Sequence, residues 1–325
     1  MKKWIEVVQC NKCKKIYPGI TPNVCSKCAA RLAKRDELAA IVWGKDARVL
    51  VHAKRTIARK RLFGWELQEW NLPKIDLIIG GSPCQGFSNN GKGLNFEDPR
   101  SSLFFKYLDI LQSIKEKNPN VKFFLENVSM KKEWLEKIDS FLGVPHKEIN
   151  SKLLSAQNRP RCYWSNFDFD LPEDQGIQLK DILEKVDTTN YIKHAGILFD
   201  PCISEAERNL VSNVNGEIRI KQATKSGYAV AENGDGINLS FPTSKTRRGR
   251  VIKQKSATLD CQCNACVYID GVIRRFTRTE LERLQTLPDG YTSGLSIRLA
   301  KQAIGNGWNM KTISHIFKSM QEDKP

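Results

Sequence analysis

The sequence predicts an α/β domain on a mostly parallel sheet, preceded by a small cysteine-rich module. Short apolar runs alternate with amphipathic stretches through residues 74–142, the pattern of strands joined by crossover helices. Two cysteine pairs near the start have the spacing of a tetrahedral thiolate site. The charge is also uneven: residues 1–64 hold 16 Lys/Arg against 4 Asp/Glu, most of a formal net charge of +16. Such a basic segment points towards nucleic acid, through an attraction that carries no sequence information by itself.

The chain has 325 residues, 40% hydrophobic and 27% charged, which excludes a disordered or collagen-like polymer. No apolar run approaches the roughly 18 residues of a membrane span, and the first residues lack the apolar stretch of a secretory signal. The expectation is a cytoplasmic protein of a bacterial or phage-infected cell with no membrane partner. Ten cysteines in a chain without an export signal point to metal or catalysis rather than to disulfides.

The elements follow in order. Residues 1–35 carry Cys10, Cys13, Cys25 and Cys28 as two C-x2-C knuckles separated by turn formers, which predicts a zinc ribbon with a closed structural site. Residues 36–72 form a basic connecting segment. Residues 74–80 read as a buried strand ended by two glycines. Residues 101–117 read as a helix burying Leu103, Phe104, Tyr107, Leu108, Leu111 and Ile114. A second strand over 121–125 and a second helix over 131–142 follow. Cys261, Cys263 and Cys266, with Cys202 as a candidate fourth ligand, make a second cluster whose C-x-C-x2-C spacing is irregular, a weak signal for metal.

Ligands of open α/β sheets bind outside the carboxyl ends of the strands. At the first such end stands Ser82-Pro83-Cys84-Gln85-Gly86-Phe87-Ser88, a constrained loop that presents a thiol as a nucleophile is presented. At the second stands Glu126-Asn127-Val128, a carboxylate placed to act as acid or hydrogen-bond partner.

SPCQGFS from Ser82, ENV from Glu126, QNRPR from Gln157, RRFTRTELERLQTLPDGY from Arg274 and AIGNGW from Ala303 resemble, in order, the motifs of DNA (cytosine-5)-methyltransferases. SKTRRGR from Ser244 and the GNGW string further resemble the phage-type and de novo-type members. The resemblance implies a class I methyltransferase, Rossmann-like sheet over residues 73–166 and 276–325, interrupted by a target-recognition region over 167–275. It implies methyl transfer from S-adenosylmethionine to carbon 5 of a flipped cytosine in double-stranded DNA. Cys84 would be the nucleophile, Glu126 the partner of the ring nitrogen and amine, and Arg161 the partner of the base carbonyl. Arg159 would support the loop or a phosphate. Asn306, Trp308 and Pro83 would border the cofactor, and Gln85 and Ser88 would meet DNA.

Within the recognition region, Lys245, Arg247, Arg248 and Arg250 lie on a glycine-containing loop fitted for phosphate and guanine contacts. Thr277, with Glu280 three residues on and leucines at 281, 284 and 287, predicts a capped helix over 277–287, and the resemblance implies that this helix packs the recognition region onto the core. Residues 303–308 read as a Gly-Asn-Gly turn before a last helix from about residue 309 to 318.

The departure from the family lies upstream of residue 74, where no Phe-x-Gly-x-Gly loop for the cofactor is recognisable, nor the first three strands of the sheet. Three arrangements fit. The cofactor half could come from a separate subunit, or the chain could carry a divergent cofactor site. In the third, it is an inactive zinc-ribbon DNA-binding or regulatory protein that keeps a truncated methyltransferase fold.

Overall fold

A computed structural model describes residues 7–9, 16–18, 74–81 and 102–322. The chain divides into two compact units, Met1–Asn71 and Leu72–Pro325. In the first, β1 (Val7–Gln9) pairs antiparallel with β2 (Ile16–Pro18), Val8 opposite Tyr17. Cys10, Cys13, Cys25 and Cys28 lie outside the described residues.

The second unit opens with β3 (Leu77–Gly81), α1 (Ser102–Lys117), β4 (Lys122–Val128), α2 (Lys132–Leu142), β5 (Lys147–Asn150) and β6 (Pro160–Ser165). The sheet order is β3-β4-β6-β5, with β3 parallel to β4 and β6 antiparallel to both β4 and β5. Three parallel strands thus receive one antiparallel strand between them. The strand begins at Leu77 where the sequence suggested residue 74, and β4 runs on to Val128.

Alternation along the strands loads both faces, as a sheet covered on two sides requires. Ile78, Phe123, Leu125, Cys162 and Trp164 face α1 and α2, where Phe104, Leu111, Trp134, Leu135 and Ile138 close the layer. Phe124, Tyr163 and Ile79 face α6 (Met310–Glu322), which brings Ile313 and Ile316. Leu103, placed by its spacing in the buried stripe of α1, is 44% exposed, and the stripe runs through Phe104 and Leu111 instead. Helix α2 ends at Gly143 with φ +72, whose N–H donates to the Asp139 carbonyl at 2.8 Å, the left-handed stop that glycine takes without strain.

The region without clear periodicity is rich in strands. A three-stranded sheet is ordered β11-β10-β9, from β9 (Val211–Val214), β10 (Glu217–Lys221) and β11 (Tyr228–Ala231). A six-stranded sheet is ordered β13-β12-β14-β15-β8-β7. Its members are β7 (Ile192–His194), β8 (Ile197–Phe199), β12 (Gly236–Asn238), β13 (Arg250–Ile252), β14 (Ala265–Ile269) and β15 (Val272–Arg275). The short α3 (Glu205–Arg208) leads into β9. Ile218 and Ile220 of β10 pack with Ile237, Cys266 and Ile273 in one core, while Ala265 and Val267 face Leu281 and Leu284 in another.

Those leucines belong to α4 (Arg278–Leu284), capped by Thr277 with the reciprocal Glu280 bond. It stops short of Leu287, with Gln285 as its last cap. Helix α5 (Ile297–Asn306) follows, capped by Ser296. It corrects the expected Gly-Asn-Gly turn: Gly305 and Asn306 are helical and only Gly307 lies past the end. The physical reason is a close approach. A Cβ on Gly305 would stand 1.9 Å from the Asp260 carbonyl oxygen, so glycine serves helix–loop packing there rather than a turn.

Candidate active site

Glu126 lies near the carboxyl end of β4, its Cα opposite Gly81 of β3 on one side and Tyr163 of β6 on the other. Arg161 stands opposite Val128, so Glu126 is its diagonal neighbour on the same face, within reach of a long side chain. The guanidinium Nε sits 2.9 Å from Glu126 Oε1, and the two side chains are only 12% and 13% exposed. The second carboxylate oxygen accepts a hydrogen bond from the Trp308 indole Nε1 at 3.2 Å. Both oxygens of Glu126 are thereby oriented, one by a cation and one by a neutral donor. Arg161 spends one Nη1 proton on the Pro160 carbonyl at 2.8 Å, while Nη2 has no partner among the described residues.

Trp308 is held by an edge-to-face contact with Phe124, ring centroids 5.5 Å apart. Gly81 completes the cluster. A Cβ there would come to 3.3 Å from Glu126 Oε2 and 3.6 Å from Trp308 Nε1, so the missing side chain keeps open the space beside the carboxylate and the indole. Burial and the negative charge of Glu126 push the neighbouring Tyr163 phenol above its ordinary range, leaving it neutral.

Arg159 sits behind this cluster, 4% exposed. It donates from Nη1 to the Leu259 carbonyl at 3.1 Å and from Nη2 to the carbonyls of Gly305 at 3.3 Å and Gly307 at 2.9 Å. Those bonds tie the turn before β6 to the end of α5 and to Gly307, the residue next to Trp308. Gln157 and Gln285, which sequence reading did not single out, finish the same knot. Gln157 Nε2 donates to the Leu284 carbonyl at 3.1 Å and its Oε1 accepts from the Leu259 N–H at 3.2 Å, while Gln285 Nε2 donates to the Ile304 carbonyl at 2.7 Å. Their only advance signal was membership of the QNRPR and RFTRTELERLQ strings.

Asn306 is exposed at the end of α5, close in sequence to Trp308. Cys84, Pro83, Gln85 and Ser88 lie outside the described residues, in the chain that continues directly from Gly81. Lys245, Arg247, Arg248 and Arg250 occupy one turn and the start of β13, away from this cluster in the chain. Arg248 Nη1 and Arg250 Nη1 and Nη2 donate to backbone carbonyls of their own loop, which leaves its positive charge unneutralised by those bonds. Among the described residues no group of three or more His, Cys, Asp or Glu could hold a metal. Cys263 and Cys266 are buried thiols, both pushed up to about 12 by burial, and Cys263 Sγ donates to the carbonyls of Asp260 and Lys301.

A family profile described as C-5 cytosine-specific DNA methylase matches residues 47–138 and 141–322, most of the chain. The chain belongs to the C-5 cytosine-specific DNA methylase family. The described residues of its second unit form a mixed α/β fold. The profile begins at residue 47, upstream of β3, and the comparisons give no support to a separate cofactor-binding subunit. Type II methyltransferase M1.ScrFI of Lactococcus lactis subsp. cremoris is 28% identical over 79% of this chain and 65% of its own length. Orphan methyltransferase M.SPRI of Bacillus phage SPR is 38% identical over 37% of this chain and 30% of its own. Type II methyltransferase M.HpaII of Haemophilus parainfluenzae is 30% identical over 77% and 72% respectively. The chain therefore spans under two thirds of the length of the first two relatives. Among the described residues no helix is long and apolar enough to cross a membrane.

Proposed function

We propose that this member of the methylase family is a DNA (cytosine-5)-methyltransferase. The observation that carries the reading is the Glu126 carboxylate, held by Arg161 and Trp308 at the carboxyl end of β4, opposite the strand that runs into Cys84. Such a carboxylate suits a polar base edge, since its own orientation costs nothing at the moment of reaction. Cys84 adds as the thiolate to carbon 6 of a flipped cytosine, which makes carbon 5 nucleophilic. Glu126 shares a proton with the ring nitrogen, which takes up charge as the thiolate adds, and accepts from the exocyclic amine, while Arg161 offers Nη2 to the base carbonyl. Loss of the carbon 5 proton then expels Cys84 and restores the ring. Arg159 acts at one remove, fixing the turn that carries Arg161.

S-adenosylmethionine, when bound, supplies the electrophilic methyl group. The residues present fit that role: Gly81 leaves room beside Glu126 and Trp308, and Asn306 and Pro83 are the further candidates to border it. Gln85, Ser88, Lys245, Arg247, Arg248 and Arg250 meet the DNA. Cys10, Cys13, Cys25 and Cys28 hold a structural zinc that keeps the N-terminal module folded. Less than about half an equivalent of zinc after chelator-free purification removes that part of the reading.

The deciding experiment is transfer of labelled methyl groups from S-adenosylmethionine to mixed-sequence duplex DNA by the purified chain, with Cys84→Ser as control. Incorporation abolished in the control is the expected result. No incorporation by a folded chain that binds DNA overturns the enzymatic reading in favour of a binding protein.

A further inference from the structure

Seven described residues other than glycine adopt positive φ: Ala195, Asn215, Phe241, Gln254, Cys263, Asp270 and Thr286. Six have a local reason. Ala195, Asn215 and Asp270 each precede a glycine in the two-residue turns that join β7 to β8, β9 to β10 and β14 to β15, where a hairpin demands that geometry. Gln254, Cys263 and Thr286 each use the side chain in a hydrogen bond to a backbone carbonyl. Phe241, at φ +58, has neither reason. It cannot hydrogen-bond through its side chain, and the residue is 53% exposed, so core packing does not compensate the unfavourable backbone.

The surroundings of the ring supply what is missing. The Phe241 carbonyl accepts from the Ser244 N–H at 2.9 Å, and Ser244 Oγ accepts from the Arg247 N–H at 3.0 Å, so a tight turn folds Arg247 back over the aromatic. The guanidinium carbon lies 4.6 Å from the ring centroid. Tyr228 is a second half-exposed ring under a guanidinium, but there Arg219 is tied to Glu217 at 2.6 Å and its charge is answered. Phe241 stands instead at the head of the loop bearing Lys245, Arg247, Arg248 and Arg250. A strained, exposed aromatic backed by arginine at the edge of a basic loop has the composition of a stacking platform for nucleobases.

We propose that Phe241 stacks on an unstacked base of the bound duplex DNA, with Arg247 supporting the ring from its other face. The proposal rests on the reading of the chain as a DNA-modifying enzyme and extends it to a residue outside the charged set. Glycine adopts the backbone geometry of position 241 freely, so Phe241→Gly separates the two uses of the residue.

The test measures binding of the full chain to a fluorescein-labelled mixed-sequence duplex by anisotropy over a salt series, together with thermal melting. The expected result for Phe241→Gly is affinity weaker by about tenfold, an unchanged dependence of log affinity on log salt, and a melting temperature no lower than that of the unaltered chain. Arg250→Ala is the contrast, with a salt dependence shallower by about one unit. Binding by Phe241→Gly within twofold of the unaltered chain overturns the proposal, as does a lowered melting temperature, which would make the ring a packing element. If the unaltered chain binds no duplex, the function proposed above falls with it; if it binds and Phe241→Gly binds equally well, only the stacking role is lost.

Discussion

Arg161 and Glu126 meet diagonally across the β4–β6 ladder, with Nε 2.9 Å from Oε1, although 35 positions separate them in sequence. Antiparallel register alone brings them within reach, and Trp308 then arrives from 182 positions further along the chain than Glu126 to take the other oxygen. Trp308→Phe keeps the aromatic contact with Phe124 and removes only the donor. A hydrogen bond to a charged group contributes about 1.5–3 kcal/mol. Methyl transfer should therefore fall by about tenfold or more, while the melting temperature shifts by only a few degrees. Steady-state kinetics and calorimetry on the same preparation check both halves.

Arg274 and Glu280 form a two-pronged ion pair at 2.6 and 2.7 Å, with both side chains almost fully buried. The carboxylate also accepts the backbone N–H groups of Glu184 and Thr277, each at 2.8 Å, so it anchors the connecting chain to the start of α4. Arg274→Met strands a buried carboxylate and should cost about 3–5 kcal/mol in urea unfolding. Arg274→Met combined with Glu280→Leu should recover part of that loss, short of full recovery because two backbone donors are left without their acceptor.

Gly305→Ala places a methyl group against the backbone carbonyl of Asp260, which cannot swing aside as a flexible side-chain end could. The expected loss is about 1–3 kcal/mol from forced separation of α5 and the 260 loop. Arg159 bonds to both sides of that contact, at Leu259 and at Gly305 and Gly307, so methyl transfer should fall further than stability alone explains. Activity measured well below the melting transition separates the two effects.

Cys162, Cys263 and Cys266 are each pushed up from 9.0 to about 12, in every case chiefly by burial. Above pH 9 the native chain retains thiol protons that the unfolded chain releases, so stability falls as pH rises from about 9 towards about 12 and is indifferent to these groups below that window. The slope is up to about 1.4 kcal/mol per pH unit for each thiol. Urea midpoints at pH 8 and pH 10 read it directly. Iodoacetamide at pH 8 should leave all three unmodified in the native chain and label them after denaturation, because the reactive species is the thiolate.

The β3–α1–β4–α2 run could be read in advance because each element buries a regular stripe, and local periodicity survives whatever the rest of the chain does. Glu126 could be placed at a strand end for the same reason. The strands between residues 192 and 275 could not be read, since they are three to five residues long and their apolar positions serve two cores on opposite faces. Helix α5 was hidden by Gly305 and Gly307, which look like turn residues until Asp260 is seen pressed against the first of them.

By itself, then, the sequence determined the order of the motifs, the alternating core of the α/β sheet and the capped start of α4, all matters of near neighbours. Only the tertiary structure decided which groups meet. Register placed Arg161 beside Glu126, burial turned Arg159, Gln157 and Gln285 into a knot of backbone bonds, and the link between α5 and α6 delivered Trp308 to the carboxylate. Contacts between residues far apart in the chain are fixed by how whole surfaces pack, and no local pattern of residues records that outcome.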